Sequence, residues 1–305
     1  MILVTGSTGF VGQALCKRIP TETLVLLGRT IAEIPSARFH QGIINQDADY
    51  TAALAGIGIV VHSAARVHVM DERSTDPLAE FRQVNTAGTL GLASQAASAG
   101  VRRFIFISSV KVNGEKTYSG QPFKHDDLAT PVDPYGISKA EAEAGLRQIA
   151  ADTGMEVVII RPPLVYGPGV KANFAAMLNL AKKNLPLPLG AIHNKRSMVA
   201  LDNLVDLIVT CIHHPQAANQ TFLVSDDRDI STTELLQLMT RAAGGKPMLI
   251  PVPLSWLSLV GKLTGKQAII DRLCGNLQMD ITHTKQTLGW KPVVTVEEGI
   301  RRCLG

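Results

Sequence analysis

The chain opens on a short aliphatic run, Ile2 to Thr5, that passes directly into Gly6-Ser-Thr-Gly9-Phe10-Val11-Gly12. A helical pattern follows with Val11, Leu15 and Ile19 on one face, and Pro20 ends it. Strand, glycine-rich turn and helix in this order leave few folds open. Gly6 permits a tight turn, Gly9 lets the backbone approach a pyrophosphate, and Gly12 lets the helix pack closely on the strand. Phe10 and Val11 fall inside this turn and are assigned with the glycines to a dinucleotide cradle.

The pattern then repeats. Strands are expected at residues 24–27, 39–44, 59–62, 103–109 and 156–161, and helices at 48–55 and 78–99. Strands alternating with helices predict an α/β fold with a doubly wound parallel sheet, followed by a smaller C-terminal α/β region. Residues 1–165 are expected to bind the dinucleotide, with 202–225 returning to that unit. Residues 166–201 and 226–305 are expected to bind substrate. Ligands of such sheets sit at the carboxyl ends of the strands, so the C-terminal third should form a lid there, with residues 110–134 as a loop over the mouth.

Composition narrows the function classes. With 305 residues, 46% hydrophobic and 18% charged, the chain reads as folded and compact. A net charge of +4 without any Lys/Arg run longer than a pair gives no nucleic-acid footprint. Cys16, Cys211, Cys274 and Cys303 have no metal-ligand spacing and read as reduced thiols; no metal is expected. An apolar strand at Met1 leaves no room for a secretory leader, so a cytoplasmic location is expected. The stretch 248–260, MLIPVPLSWLSLV, is too short and too interrupted by proline to span a bilayer. It reads as a buried piece of the substrate region, with a membrane-surface role as the alternative and no stable insertion expected.

Several residues carry chemistry. The second strand ends at Gly28-Arg29 without the acid that usually holds a ribose 2′-hydroxyl; Arg29 suits a 2′-phosphate, which favours NADP(H) over NAD(H). Ala64 and Ala65 are small residues of the kind needed beneath a nicotinamide ribose. Ser108 and Ser109 end the 103–109 strand. Tyr135 and Lys139 lie four apart where a helix should begin, so an ammonium sits on the same face as a phenol and should pull its pKa down towards neutrality.

With these parts in place the chain resembles the extended short-chain dehydrogenase/reductase family, and within it the nucleotide-sugar epimerases, dehydratases and 4-ketoreductases, whose fold is a Rossmann-type doubly wound sheet. The matching pieces are GSTGFVG at 6–12, HSAA at 62–65, FIFISSVKVNG at 104–114, YGISK at 135–139, RPPLVYGPG at 161–169 and RSMVALDNLVD at 196–206. The resemblance implies that Tyr135 is the acid/base at the sugar oxygen, that Ser109 hydrogen-bonds the same oxygen, and that Lys139 bonds the nicotinamide ribose. It implies that Asn173 and Arg196 hold the nucleotide diphosphate. Arg272 is a further candidate, although the family's Arg-x-Gly-Asp pattern appears out of register as Arg272-Leu-Cys-Gly-Asn276. Relatives often bind adenine through an Asp in the third strand, where this chain has Ile43.

A 4,6-dehydratase of this family needs an acid and a base directly after the catalytic Ser/Thr. Val110-Lys111 stands there, and Val transfers no proton. That leaves a 4-epimerase and a 4-ketoreductase. SSVKVNGE, PVDPYGISK, RPPLVYGPGVKANF and LPLGAIHNKRSMVALDN look most like enzymes of bacterial surface-polysaccharide synthesis, and this resemblance, with which Arg29 agrees, implies reduction of the 4-keto group of a UDP-2-acetamido-2,6-dideoxy-hexos-4-ulose. The alternative is a UDP-N-acetylhexosamine 4-epimerase with tightly bound NAD, and the remote one a non-catalytic NADP(H)-sensing or scaffold protein. A UDP-sugar is the expected partner, and a homodimer is the expectation the family carries.

Overall fold

The structure is a computed structural model that describes residues 1–30, 34, 37–67, 76–118 and 120–305. Among the described residues there are nine strands: β1 (Ile2–Thr5), β2 (Leu24–Gly28), β3 (Arg38–Gln41), β4 (Ile59–His62), β5 (Arg103–Ile107), β6 (Glu156–Arg161), β7 (Leu164–Tyr166), β8 (Met198–Ala200) and β9 (Thr221–Leu223). Seven of them form one sheet in the order β3-β2-β1-β4-β5-β6-β9, and β7 and β8 pair separately. Every pairing in the large sheet is parallel. A parallel sheet needs cover on both faces, which is why β1 and β5 are apolar runs buried along their whole length.

Alternate residues of each strand serve opposite faces. Ile2, Val4, Leu24, Leu26, Ile105, Val158 and Ile160 share a core with the helices Phe10–Cys16 and Leu201–His213. Leu3, Val25, Val60, Phe104, Phe106, Val157 and Ile159 share another with the helices Thr89–Ser98 and Pro134–Thr153. A third core gathers Tyr166, Phe174, Leu178, Met198, Ile230, Met239, Val296 and Ile300 around the β7-β8 pair. After that pair the chain returns through the helix Leu201–His213 to β9, which lies beside β6.

Three local expectations differ from what is found. The third strand stops at Gln41 rather than 44 because the Tyr50 hydroxyl takes over the backbone beyond it, donating to the carbonyls of Ile43 and Asn45 and accepting from Asn45 N at 3.0 Å. The helix expected at 78–99 runs as Pro77–Phe81, a π-helical stretch Arg82–Gly88, and Thr89–Ser98. Widened turns of this kind re-aim side chains and concentrate at functional sites. The 248–260 segment is not buried. It ends in a helix, Leu254–Leu263, of which only Leu257 and Gly261 are covered, followed by a second helix, Gln267–Cys274, with no buried residue.

Candidate active site

The carboxyl ends of β1, β4 and β5 converge on one edge of the sheet. At the end of β1, Gly6 has φ +73°, and a Cβ there would lie 2.7 Å from Ala64 N. A Cβ on Gly12 would lie 2.1 Å from the Gly6 carbonyl oxygen, and one on Gly9 would lie 3.1 Å from the same atom. Backbone thus meets backbone with no room for side chains, the surface a dinucleotide pyrophosphate requires. Phe10 and Val11 are half-buried in this turn. Ala64 and Ala65 follow β4, and Ser63 Oγ pins that segment by donating to the Thr5 carbonyl at 2.7 Å. These residues fit a nicotinamide dinucleotide. Arg29 is exposed one residue beyond β2.

His62, in the same place, is a packing residue. Its ring bonds Thr5 Oγ1 at 2.7 Å and Thr89 Oγ1 at 2.9 Å, and burial first, then the Lys139 charge, pushes it down to about 3. It stays a neutral imidazole and takes up no second proton in the working range.

Tyr135 and Lys139 stand on the helix Pro134–Thr153, which starts cleanly for local reasons. Pro134 takes the first helical position, and the Asp133 carboxylate accepts from Gly136 N at 2.5 Å. Lys111 and Glu115 hold that cap from the facing loop, with Lys111 Nζ paired to both Asp133 and Glu115. Ser109 caps the short turn Val110–Val112, its hydroxyl accepting from Lys111 N at 3.2 Å, and it acts on the Tyr135 phenol by lowering its pKa. Ser108 cannot share that role, because its hydroxyl donates to Glu143 Oε1 at 2.6 Å.

The electrostatics differ from the sequence expectation. Part of Tyr135 remains accessible, but protein surrounds the phenol itself, and burial pushes it up to about 12. The Asp133 carboxylate adds to the rise and the Ser109 side chain opposes it. Lys139 Nζ donates to the Ile107 carbonyl at 2.8 Å and lies 4.4 Å above the Phe106 ring, against 6.0 Å from the centre of the Tyr135 ring. Burial brings it down to about 7, opposed by Glu143 one turn along the helix. The ammonium therefore faces Phe106 and Ile107 rather than the phenol, and burial rather than a neighbouring cation sets the direction of the Tyr135 shift.

Two supporting groups were not picked out from sequence. Glu143, buried, accepts from Arg161 Nε at 2.9 Å and Nη2 at 2.6 Å, while Arg161 Nη1 donates to Asn113 Oδ1 at 3.1 Å. This network ties the Tyr135 helix to β6 and to the loop after Ser109. Its signal was an arginine ending the apolar run EVVIIR. Asn85, on the π-helical stretch, bonds Arg66 N at 2.8 Å, the Arg66 carbonyl at 3.0 Å and Ser138 Oγ at 3.1 Å, so it joins the segment after β4 to the Tyr135 helix. A lone Asn in an amphipathic pattern gives no signal.

Over the mouth, the loop after Ser109 is strapped to the C-terminal region: Thr117 N donates to the Asn276 carbonyl at 3.0 Å, and Phe123 exchanges bonds with Gln278 and Asp280 at 2.9 Å. Arg196 and Arg272 are brought together there. Arg196 Nη1 donates to the Arg272 carbonyl at 2.9 Å and to the Gly275 carbonyl at 3.2 Å, and burial, then the Arg272 charge, lowers its affinity for its proton. Asn173 is exposed on the first turn of the helix Ala172–Lys182, and among the described residues no hydrogen bond joins it to the arginines. A cavity of about 380 Å³ lined by Met1, Arg18, Arg102 and His213 lies at the opposite, amino ends of the strands, away from all of these groups. Among the described residues no cluster of three or more His, Cys, Asp or Glu could hold a metal, and no helix is long and apolar enough to cross a membrane.

Residues 2–225 match the model of the NAD dependent epimerase/dehydratase family. The chain belongs to that family. It is 52% identical over 306 residues to a UDP-glucose 4-epimerase of Vibrio cholerae, a match covering 99% of this chain and 93% of the relative. It is 27% identical over 319 residues to an N-acetyl-alpha-D-glucosaminyl-diphospho-ditrans,octacis-undecaprenol 4-epimerase of Escherichia coli O157:H7, covering 99% and 94%. Among solved structures it is similar to the UDP-glucose 4-epimerase of Thermotoga maritima with UDP-glucose, at a TM-score of 0.78, 23% identity and coverage of 99% and 97%. It is also similar to a UDP-glucuronic acid 4-epimerase from Bacillus cereus in complex with NAD, at 0.78, 19%, 99% and 96%. The structural likenesses establish the Rossmann-type fold. The family assignment makes the chain an enzyme class member that works with a nicotinamide cofactor.

Proposed function

We propose that the protein interconverts C4 epimers of a UDP-hexose and keeps NAD as its resident cofactor. The observation that carries this is the 52% identity along nearly the whole length to the Vibrio cholerae UDP-glucose 4-epimerase, in a chain that retains Ser109, Tyr135 and Lys139. It favours the epimerase over the 4-ketoreductase as the first choice. Local features speak against dehydration: Val110, which carries no proton, is buried, and the Lys111 ammonium is paired with Asp133 and Glu115.

Bound across the glycine cradle, NAD would supply the acceptor and donor of hydride at the sugar C4. The chain's own part is proton handling and positioning. Tyr135 Oη holds the proton of the C4 oxygen in one half of the cycle and returns it in the other, while Ser109 hydrogen-bonds the same oxygen. Arg196 and Arg272 supply positive charge for the nucleotide diphosphate, with Asn173 as a further polar contact. Arg29 keeps a second reading in view, in which NADP(H) is exchanged and a 4-keto sugar is reduced.

Purified protein given UDP-glucose or UDP-N-acetylglucosamine without added reductant is expected to form the C4 epimer, read by NMR of the anomeric protons. No epimer from either sugar, combined with NADPH consumption on a UDP-4-keto-6-deoxy sugar, would replace this reading with the reductase.

A further inference from the structure

The helix Leu254–Leu263 turns its apolar side outward. Trp256, Leu259, Val260 and Leu263 recur at i, i+3, i+4 and i+7, which places them on one face, and they are 68%, 57%, 55% and 78% exposed. The opposite face, with Leu257 and Gly261, packs on the following helix, where a Cβ on Gly261 would lie 2.8 Å from Ile270. Leu254 and Ile250 before the stripe and Ile269 after it are exposed as well. A helix that buries its small side and shows water a tryptophan and three aliphatic residues is built to be covered by something.

The surrounding charge indicates what covers it. Between residues 246 and 272 the basic residues are Lys246, Lys262, Lys266 and Arg272, against Asp271 as the one acid. Lys262 and Lys266 stand exposed at the end of the stripe. An apolar face carrying Trp and Leu, rimmed by lysines and lacking balancing carboxylates, matches an anionic bilayer surface, where the aliphatic residues enter the acyl boundary and the lysines meet headgroup phosphates. A protein partner or a second copy would instead call for acids opposite the lysines; this hairpin offers a second copy more lysines.

We propose that the 254–274 hairpin docks the protein peripherally on anionic membrane, through Trp256, Leu259, Val260 and Leu263 with Lys262 and Lys266. The inference does not depend on which sugar the site turns over. The same hairpin carries Arg272, whose carbonyl accepts from Arg196, so the docking stripe and the two arginines are joined through one hairpin.

The chain has two tryptophans, and Trp290 is buried with its Nε1 on Asp206, so emission changes report Trp256. Mixed with vesicles of phosphatidylcholine and phosphatidylglycerol, the protein is expected to co-sediment and its emission to shift to shorter wavelength. Vesicles of phosphatidylcholine alone should bind far less. Lys262→Gln/Lys266→Gln should weaken partition roughly thirtyfold, from about 1 kcal/mol for each lysine charge near an anionic surface. Leu259→Ser/Leu263→Ser should abolish it, with melting temperature and bound-cofactor content unchanged as controls of folding. Three results would each overturn the proposal: no sedimentation with anionic vesicles, sedimentation unaffected by the Leu259→Ser/Leu263→Ser change, or a self-association in vesicle-free buffer that this double change dissolves.

Discussion

At Lys139 an ammonium is held among the Phe106 ring, the Ile107 carbonyl and Glu143, and its value of about 7 links stability to pH. An unfolded Lys titrates near 10.5, so between about 7 and 10.5 the unfolded chain binds more protons than the folded one at this group. Its burial penalty is therefore full below pH 7 and shrinks as pH rises. Lys139→Met should raise the melting temperature, more at pH 6 than at pH 9, while removing turnover; a gain that is larger at pH 9 would contradict the burial argument. Tyr135→Phe should cut turnover by about 10²-fold or more, as for other positioned acid/base groups. The cofactor retained by that variant, measured after denaturation, should match the unaltered protein. Gly12→Ala forces a Cβ against the Gly6 carbonyl, and thermal melts should show a loss of about 1–3 kcal/mol together with a fall in bound cofactor.

Among the elements, the helix Pro134–Thr153 carries the site and is fastened by buried charge. Arg161 and Glu143 are 3% and 1% exposed at their side chains and 2.6 Å apart, and each is the other's main compensation. Arg161→Met should cost about 3 kcal/mol in urea unfolding, because it leaves the buried Glu143 carboxylate with only the Ser108 hydroxyl and the half-exposed Arg147. Most of this architecture was legible from sequence. The glycine turn after β1, the apolar runs of β1, β2, β4, β5 and β6 and the Asp133-Pro134 helix start each express one local preference that the fold leaves unopposed. What stayed hidden depends on contacts distant in sequence. The early end of β3 is decided by the Tyr50 hydroxyl, the π-helical stretch by no residue type that marks it, and the Glu143–Arg161 pair by the meeting of a helix and a strand. The 248–260 segment misled for the opposite reason. Its composition reads as core, and hydrophobicity does not say which side of a helix the neighbours occupy. The four-residue spacing puts Lys139 on the same helix as the phenol, but which neighbour the ammonium faces and how far burial moves both groups depend on Phe106, Ile107 and Asp133, which the spacing does not show.

For the molecule as a whole, the first core joins β1 and β2 to Met279, Ile281, Leu288 and Trp290. The C-terminal region thus shares its packing with the seven-stranded sheet, although the sequence reading divides them at residue 166. Calorimetry of the intact chain should show a single cooperative transition. Two resolved transitions would mean that the shared packing is too weak to couple the regions.

The parallel strand order also governs how the protein comes into being. β1 cannot be flanked on both sides until β4 is made, and β6 gains its outer neighbour only when Thr221 to Leu223 arrive about 60 residues later, a separation typical of the crossovers that parallel sheets demand. Trp290, which closes the first core, comes later still. During synthesis the ribosome therefore holds a chain whose apolar strands have open edges for most of its length. Folding chaperones that shield unpaired edges should matter more to the yield of this protein than to that of a helical chain of equal size, whose contacts close as each helix emerges.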